Sequence, residues 1–293
     1  MKQLRIGTLV GGNDAVRVLP QIIPHGFESF SLTFWQTTGN ADLSEIAKRV
    51  KEILAERDIV ISSLGIFGNP LTGAGDNADT LASWERLIDH AHEFGTNLVA
   101  GFTGRMPGAI DESLPRYAEV FGELAKRAED RGVRLAFENC DMGGTWKDGD
   151  WNIAHNPIAW EMMFNALPAE NIGLQWEPTH QMVSLIDPIP QLRKWTHKIF
   201  NVHGKDATIA WDIVREHGIH GPKPFVWHRT PGFGDTNWTD VISILMQAGY
   251  QGSIDIEGWH DPVYRGDLEM TGQVHALHYL KQCRGGSFVP NPV

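Results

Sequence analysis

Four short stretches of the 293-residue chain end an apolar run on side chains that can carry charge. "LAFENC" reaches Glu138. "LQWEPTH" reaches Glu177 and then His180. "FNVHGKD" reaches His203 and Lys205, and "IDIEGWH" reaches Glu257. If the four runs are neighbouring strands, three carboxylates and an imidazole converge on one rim. Carboxylates crowded into a partly buried pocket repel one another and resist ionisation, and a divalent cation removes that conflict. Three carboxylate oxygens and one imidazole suit Mn²⁺ or Mg²⁺, with Co²⁺ and Zn²⁺ as further candidates. Glu138, Glu177, His203 and Glu257 are therefore expected to ligate one divalent metal. The chain has only two cysteines, Cys140 and Cys283, so a Cys-rich structural zinc site is excluded.

Such convergence needs elements that aim these residues the same way. Eight apolar runs read as strands: 4–10, 28–34, 58–67, 96–102, 134–140, 172–177, 199–205 and 253–259. Helical patterns alternate with them. In 41–58, Leu43, Ile46, Ala47, Val50, Ile53 and Leu54 recur at helical spacing. The patterns over 77–95 and 114–132 stop on Gly95 and Gly132, as helix ends do. Strand–helix alternation implies a parallel sheet with right-handed crossovers. Eight such strands predict a closed (β/α)8 TIM barrel, one α/β domain over 1–293. An open doubly wound sheet would advertise a Gly-rich phosphate turn after its first strand, and "TLVGGNDAV" is a poor match. Two segments break the rhythm. "TGRMPGAI" reads as a surface loop. The stretch from Lys205 to about Asn237, rich in Gly, Pro and His, predicts a long loop between strands seven and eight, of a length that usually carries function.

The net charge of −11 argues against a nucleic-acid footprint. No segment offers the apolar length of a spanning helix, so no membrane partner is expected. "MKQLRIGTLVGG" lacks the features of a signal peptide, and two distant cysteines fit a reduced, cytoplasmic compartment. Several of the 11 tryptophans (Trp146, Trp151, Trp227, Trp238, Trp259) lie in Gly/Pro/His-rich stretches. They read either as loop packing or as an aromatic-lined pocket. The C-terminal "RGGSFVPNPV" reads as a loose end or a subunit contact, and a homo-oligomer is compatible with the sequence.

"LAFENC", "GLQWEPTHQ", "NVHGKDA", "RTPGFGDTNW" and "GYQGSIDIEGWHDP" together resemble the xylose-isomerase-like TIM-barrel superfamily of sugar isomerases and epimerases. The resemblance spans nearly the whole chain and is strongest from Arg134 to Asp261. It implies that Glu138, Glu177, His203 and Glu257 hold the metal, and that His180 contacts a substrate hydroxyl or orients the site. Lys205 and Asp206 match the family's H-x-K-D stretch. Arg229 and "PGFGD" match an R-x-P-G-x-G-D element beside the pocket. Where many members carry Asp after strand six, this chain carries Glu177. The rim stretches hold no obvious Arg/Lys grip for phosphate.

The expected chemistry is proton abstraction next to a carbonyl. The metal acts as a Lewis acid on a sugar or keto-sugar, and charge develops as an enediolate. Glu138 and Glu257, from well-separated strands, address opposite faces of the substrate, one removing the proton and the other returning it. Lys205, His228 and Arg229 are expected at the substrate. His180, His155, His228 and Lys205 are the remaining acid–base candidates, with His155 better suited to a turn or helix cap. The alternative is a lyase, in which the same carbanion expels a substituent from a 3-keto-glycoside, including carbon-linked ones. A noncatalytic sugar- or protein-binding barrel would need no metal. A nuclease of similar barrel type would need a basic face.

Overall fold

The computed structural model describes residues 4–285 and 289–292. The expectations for the first three residues of the N-terminal stretch and for 286–288 and 293 of the C-terminal one lie outside the described residues.

Eight parallel strands close into a barrel: β1 (Arg5–Gly11), β2 (Ser29–Trp35), β3 (Val60–Phe67), β4 (Leu98–Gly101), β5 (Arg134–Glu138), β6 (Ile172–Trp176), β7 (Ile199–Gly204) and, last in the chain, β10 (Ser253–Ile256). Two further strands, β8 (Asp206–Ile209) and β9 (Val226–Arg229), pair antiparallel outside it. The helices are α1 (Ala15–Ile22), α2 (Leu43–Leu54), α3 (Thr80–His90), α4 (Ile110–Glu129), α5 (Pro157–Ala166), α6 (Pro178–Val183), α7 (Pro188–Trp195), α8 (Trp211–His217), α9 (Trp238–Gln247) and α10 (Glu269–Arg284). Barrel strands are covered on both faces, which is why they read as nearly unbroken apolar runs. All five residues of β6 are buried. The outer ring is amphipathic: α2 buries Leu43, Ala47 and Val50 and is capped by Asp42, whose carboxylate accepts from the Glu45 N–H.

Three expectations change in detail. The segment between β7 and β10 holds the β8–β9 hairpin and α8, not an unstructured loop. Asp206 organises it, accepting from the N–H groups of Ala207 and Thr236 and from Trp238 Nε1. Helix α4 starts four residues before the predicted 114 and carries Pro115 inside. "TGRMPGAI" is not a plain surface loop. Arg105 is fully buried, and its guanidinium donates to the carbonyls of Gly108, Thr145 and Trp146, pinning this loop to the one after β5.

The barrel interior is polar in one place where barrels of this kind are usually filled by branched apolar side chains. Gln175 on β6 donates to Asn201 on β7 (2.9 Å), and Asn201 donates to Asp255 on β10 (3.1 Å). Asp255 also accepts from Ser29 and Ser62, each at 2.7 Å. A side chain at Gly7 would strike both Ser29 and Asp255, so glycine leaves room for this network. Side chains two apart on a strand share a face. The residues two further along from Gln175, Asn201 and Asp255 are Glu177, His203 and Glu257.

Candidate metal centre

β5 ends on Glu138, β7 carries His203 one residue before its end, and Glu257 directly follows β10. Glu177 follows β6 in extended conformation, and Pro178 opens α6 behind it. Proline suits a first helical position because its fixed φ is already helical and no N–H is lost there. The turn then brings His180 back over Glu177, with Nε2 2.5 Å from Oε1. Asn139 fixes the Glu177 peptide by bonding both its N–H (2.7 Å) and its carbonyl (2.9 Å).

His203 Nδ1 lies 3.0 Å from Glu138 Oε1, 3.1 Å from Glu257 Oε2 and 3.9 Å from Glu177 Oε2. One ligand atom from each of the four residues falls within 4.8 Å of the others. Lys205 Nζ is 2.8 Å from Glu257 Oε1, 3.7 Å from Glu177 Oε1 and 3.4 Å from His180 Nε2. Burial pushes Glu177 up to about 8 and also raises Glu138. At Glu257 burial is outweighed by Lys205 and His203, which hold it well below the carboxylate range. Burial would lower His203, but its bonds to Glu138 and Glu257 raise it to about 10. Burial, then Lys205, lowers His180 to about 4. Protons on His203 and Lys205 thus balance the carboxylates where no cation does.

That balance is incomplete. Both oxygens of Glu177 and Oε2 of Glu257 are buried and accept no well-aligned hydrogen bond, although the His180 and His203 rings lie close to them. Buried carboxylate oxygens without donors are costly, and a cation among them supplies what is missing. The four residues fit a divalent metal, and the donor set of three carboxylates and an imidazole is of the kind that Mn²⁺ and Mg²⁺ take.

A cavity of about 670 Å³ opens over this cluster. Glu138, His203, Glu257, His180, Lys205 and His228 line it, while Glu177 is wholly buried behind them. Arg229 is not brought into the cavity: its Nε donates to Asp261, 3.0 Å away. His155 is buried away from it, held by burial at about 4, and it does not cap α5. Asn156 does, accepting from the Ile158 N–H. Sequence reasoning missed His260, which lines the cavity with Nε2 3.1 Å from Glu257 Oε1. Its signal was its spacing, three residues past Glu257 as His180 is past Glu177. The tryptophans divide. Trp259 lines the cavity, Trp151 stacks on the cavity residue Trp35, Trp146 packs against the core and Trp238 is inside it. No helix among the described residues is long and apolar enough to cross a membrane.

Residues 22–283 match the family model described as xylose isomerase-like TIM barrel. An uncharacterized protein of Bacillus subtilis, YfiH, is 23% identical over 247 residues, covering 73% of this chain and 76% of that protein. An inosose dehydratase of Clostridium tetani is 26% identical over 195 residues, covering 61% of this chain and 60% of its own length. Among solved structures, a 3-keto-D-glucoside 4-epimerase of E. coli superposes with a TM-score of 0.70 at 15% identity, over 96% of this chain and all of that one. The chain belongs to the xylose isomerase-like TIM barrel family.

Proposed function

From membership of the xylose isomerase-like TIM barrel family, we propose that this barrel is a divalent-metal-dependent isomerase or epimerase of a sugar or keto-sugar. The observation that carries this reading is the placement of Glu138 and Glu257. They come from strands separated by β6 and β7, yet each lies about 3 Å from the same His203 nitrogen, on the floor of one cavity. A cation held by Glu138, Glu177, His203 and Glu257 would polarise a carbonyl and offset the charge that develops on its oxygen. Mn²⁺ or Mg²⁺ suits that ligand set.

Glu138, kept basic by its burial, takes the proton from the carbon next to the carbonyl. Glu257 serves the opposite face, where Lys205 and His260 set its protonation. His180 and Lys205, adjacent at the cavity wall, hold substrate oxygens, and His228 meets His180 at a ring distance of 5.6 Å. Arg229 acts through Asp261, which also accepts from the Thr230 N–H, so it fixes the end of β9 beside His228. Return of the proton to the neighbouring carbon isomerises the sugar, and return to the opposite face epimerises it.

The likeness to an inosose dehydratase favours a second reading, a lyase in which the same carbanion expels a substituent at the β carbon. Both readings are tested by proton NMR in D₂O on the Mn²⁺-loaded protein with ketoses and 3-keto-glycosides. Deuterium in a sugar that keeps its skeleton and substituent supports isomerase or epimerase chemistry. Loss of the substituent with an unsaturated keto-sugar product makes the protein a lyase. No exchange in any of them counts against both.

A further inference from the structure

The cavity has two unlike sides. Around the barrel the strands run β1-β10-β7-β6-β5-β4-β3-β2, so every proposed metal ligand comes from one arc, β10 to β5. The opposite arc supplies Trp35 at the end of β2, Phe67 at the end of β3 and Phe102 just after β4. Phe67, Phe102 and Cys140 form a small apolar cluster separate from the main core, with Met142 and Trp151 packed on it. Trp35 stacks on Trp151 (5.7 Å between rings, 30°) and meets Phe102 edge-on at 6.5 Å. Phe102 in turn meets Phe67 edge-on at 5.3 Å. The barrel does not need this wall for its core, and Trp35 remains 58% exposed on the cavity. An exposed indole braced by other rings is a surface prepared for an apolar partner.

Two residues on the rim adopt left-handed backbone. Trp259, 51% exposed on the cavity, has φ +70°, and both oxygens of Glu269 accept from its N–H (3.0 and 3.1 Å). Met142, also on the cavity, has φ +49°. Side chains in this left-handed region are strained and persist where neighbours enforce them, commonly at ligand sites.

Size and charge narrow the occupant. The twelve heavy atoms of a hexose, each allowed the roughly 30 Å³ of a liquid water, fill at most about 360 Å³. The cavity holds about 670 Å³. Lys205 is the one Lys or Arg among its described lining residues, and it lies on the carboxylate arc, paired with Glu257 and Glu177. A phosphate in the spare volume would face Asp141 and aromatic rings rather than a cation.

We propose that the natural substrate is a sugar carrying a flat apolar substituent, an aryl or fused-ring group. Its sugar ring lies at the carboxylate arc and its substituent against Trp35, Phe67 and Phe102. This rests on the reading of the site as a keto-sugar enzyme, and its test separates the two. Calorimetry on the Mn²⁺-loaded protein compares methyl β-D-glucoside with 2-naphthyl β-D-glucoside. The naphthyl compound binds about tenfold tighter or more, the scale of burying one aromatic face. Trp35→Ala, half exposed and therefore safe for the fold, removes most of that preference and leaves the methyl compound unchanged. Phe102→Leu weakens the preference by a smaller factor. Failure of the naphthyl compound to bind, equal affinities, or a preference that survives both substitutions overturns the proposal. The D₂O experiment with matched methyl and naphthyl 3-keto-glucosides gives the separation. A naphthyl preference in binding without exchange in either sugar sinks the catalytic reading and leaves the aryl site standing. Equal exchange efficiency for the two sugars sinks the aryl site and leaves the catalysis.

Discussion

Two layers of polar side chains lie one above the other in the barrel, on the same three strands. The lower layer is Gln175, Asn201 and Asp255. The upper is Glu177, His203 and Glu257. Below, both oxygens of a buried carboxylate are met by neutral donors from Ser29, Ser62 and Asn201. Above, three carboxylate oxygens of Glu177 and Glu257 accept no well-aligned hydrogen bond and have only the imidazoles of His180 and His203 close by. The same kind of group, at similar burial, is thus completed by the protein in one layer and left for a cation in the other. A satisfied polar layer rigidifies what it supports. The lower layer fixes the strands whose next inward residues are proposed to hold a metal.

The sharpest way to break this comparison is through activity. Glu138→Gln and Glu257→Gln keep the fold and lower deuterium exchange at the substrate carbon by about 10²–10⁴-fold, the span of general acid–base contributions. Exchange that survives both substitutions would move the proton-carrying role to His180 and His260.

Next in size is a stability contrast. Asp255→Ala leaves buried donors unpaired and costs about 3 kcal/mol, with or without Mn²⁺, in urea unfolding. Glu177→Gln mimics the protonated acid that the metal-free site favours, so it changes metal-free stability by less than about 1 kcal/mol. It abolishes the rise in Tm that Mn²⁺ gives the unsubstituted protein. Equal losses from the two substitutions would show that the layers do not differ as described.

The pH dependence differs in sign between the rim and the base of the barrel. In the metal-free protein Glu177 titrates near 8 and His203 near 10, both above their ordinary 4.5 and 6.5. His155, His180 and His228, lowered by burial, take up protons only in the unfolded chain. They are mostly neutral there too above about pH 7, so between about pH 7 and 8 the folded chain holds more protons than the unfolded one. Its stability falls as pH rises, by about 1 kcal/mol or more per unit. Saturating Mn²⁺ flattens that slope. At the base, burial would raise Glu28, but Arg284, the Ile6 N–H and Lys281 outweigh it and hold it below 4.5. Its contribution is present above pH 4.5 and is lost as pH falls through the lowered value. Because Glu28 is partly exposed, that contribution is about 0.5 kcal/mol. Glu28→Gln removes this acid-side loss and leaves the alkaline slope untouched, in thermal melts across pH.

The fold and the upper layer were legible because both follow from period. Apolar runs of strand length alternating with helical ones dictate the barrel, and a titratable residue at the C-terminal end of each of the last four barrel runs marks the rim. The lower layer was as visible in principle, since Gln175, Asn201 and Asp255 each precede a ligand by two. Single polar residues inside apolar runs read as interruptions unless the runs are already set side by side. The β8–β9 hairpin was missed because its strands are four residues each and no tight turn joins them. The aromatic wall was missed for a different reason. Trp35, Phe67 and Phe102 end strands 2 to 4 as Glu138 ends β5, but an aromatic residue at a strand end has the chemistry of ordinary core.

The placement of the two walls has a consequence for descent and design. The aromatic wall comes mainly from the first hundred or so residues and the proposed metal ligands all come from Glu138 onward, so the proposed substituent site and the proposed reaction site occupy different stretches of the gene. Mutation in the first stretch can exchange one substituent for another while the proton-handling residues stay intact. A library confined to Trp35, Phe67 and Phe102 would explore new substrates without revisiting the reaction, and lineages that share the second half can diverge in diet through the first.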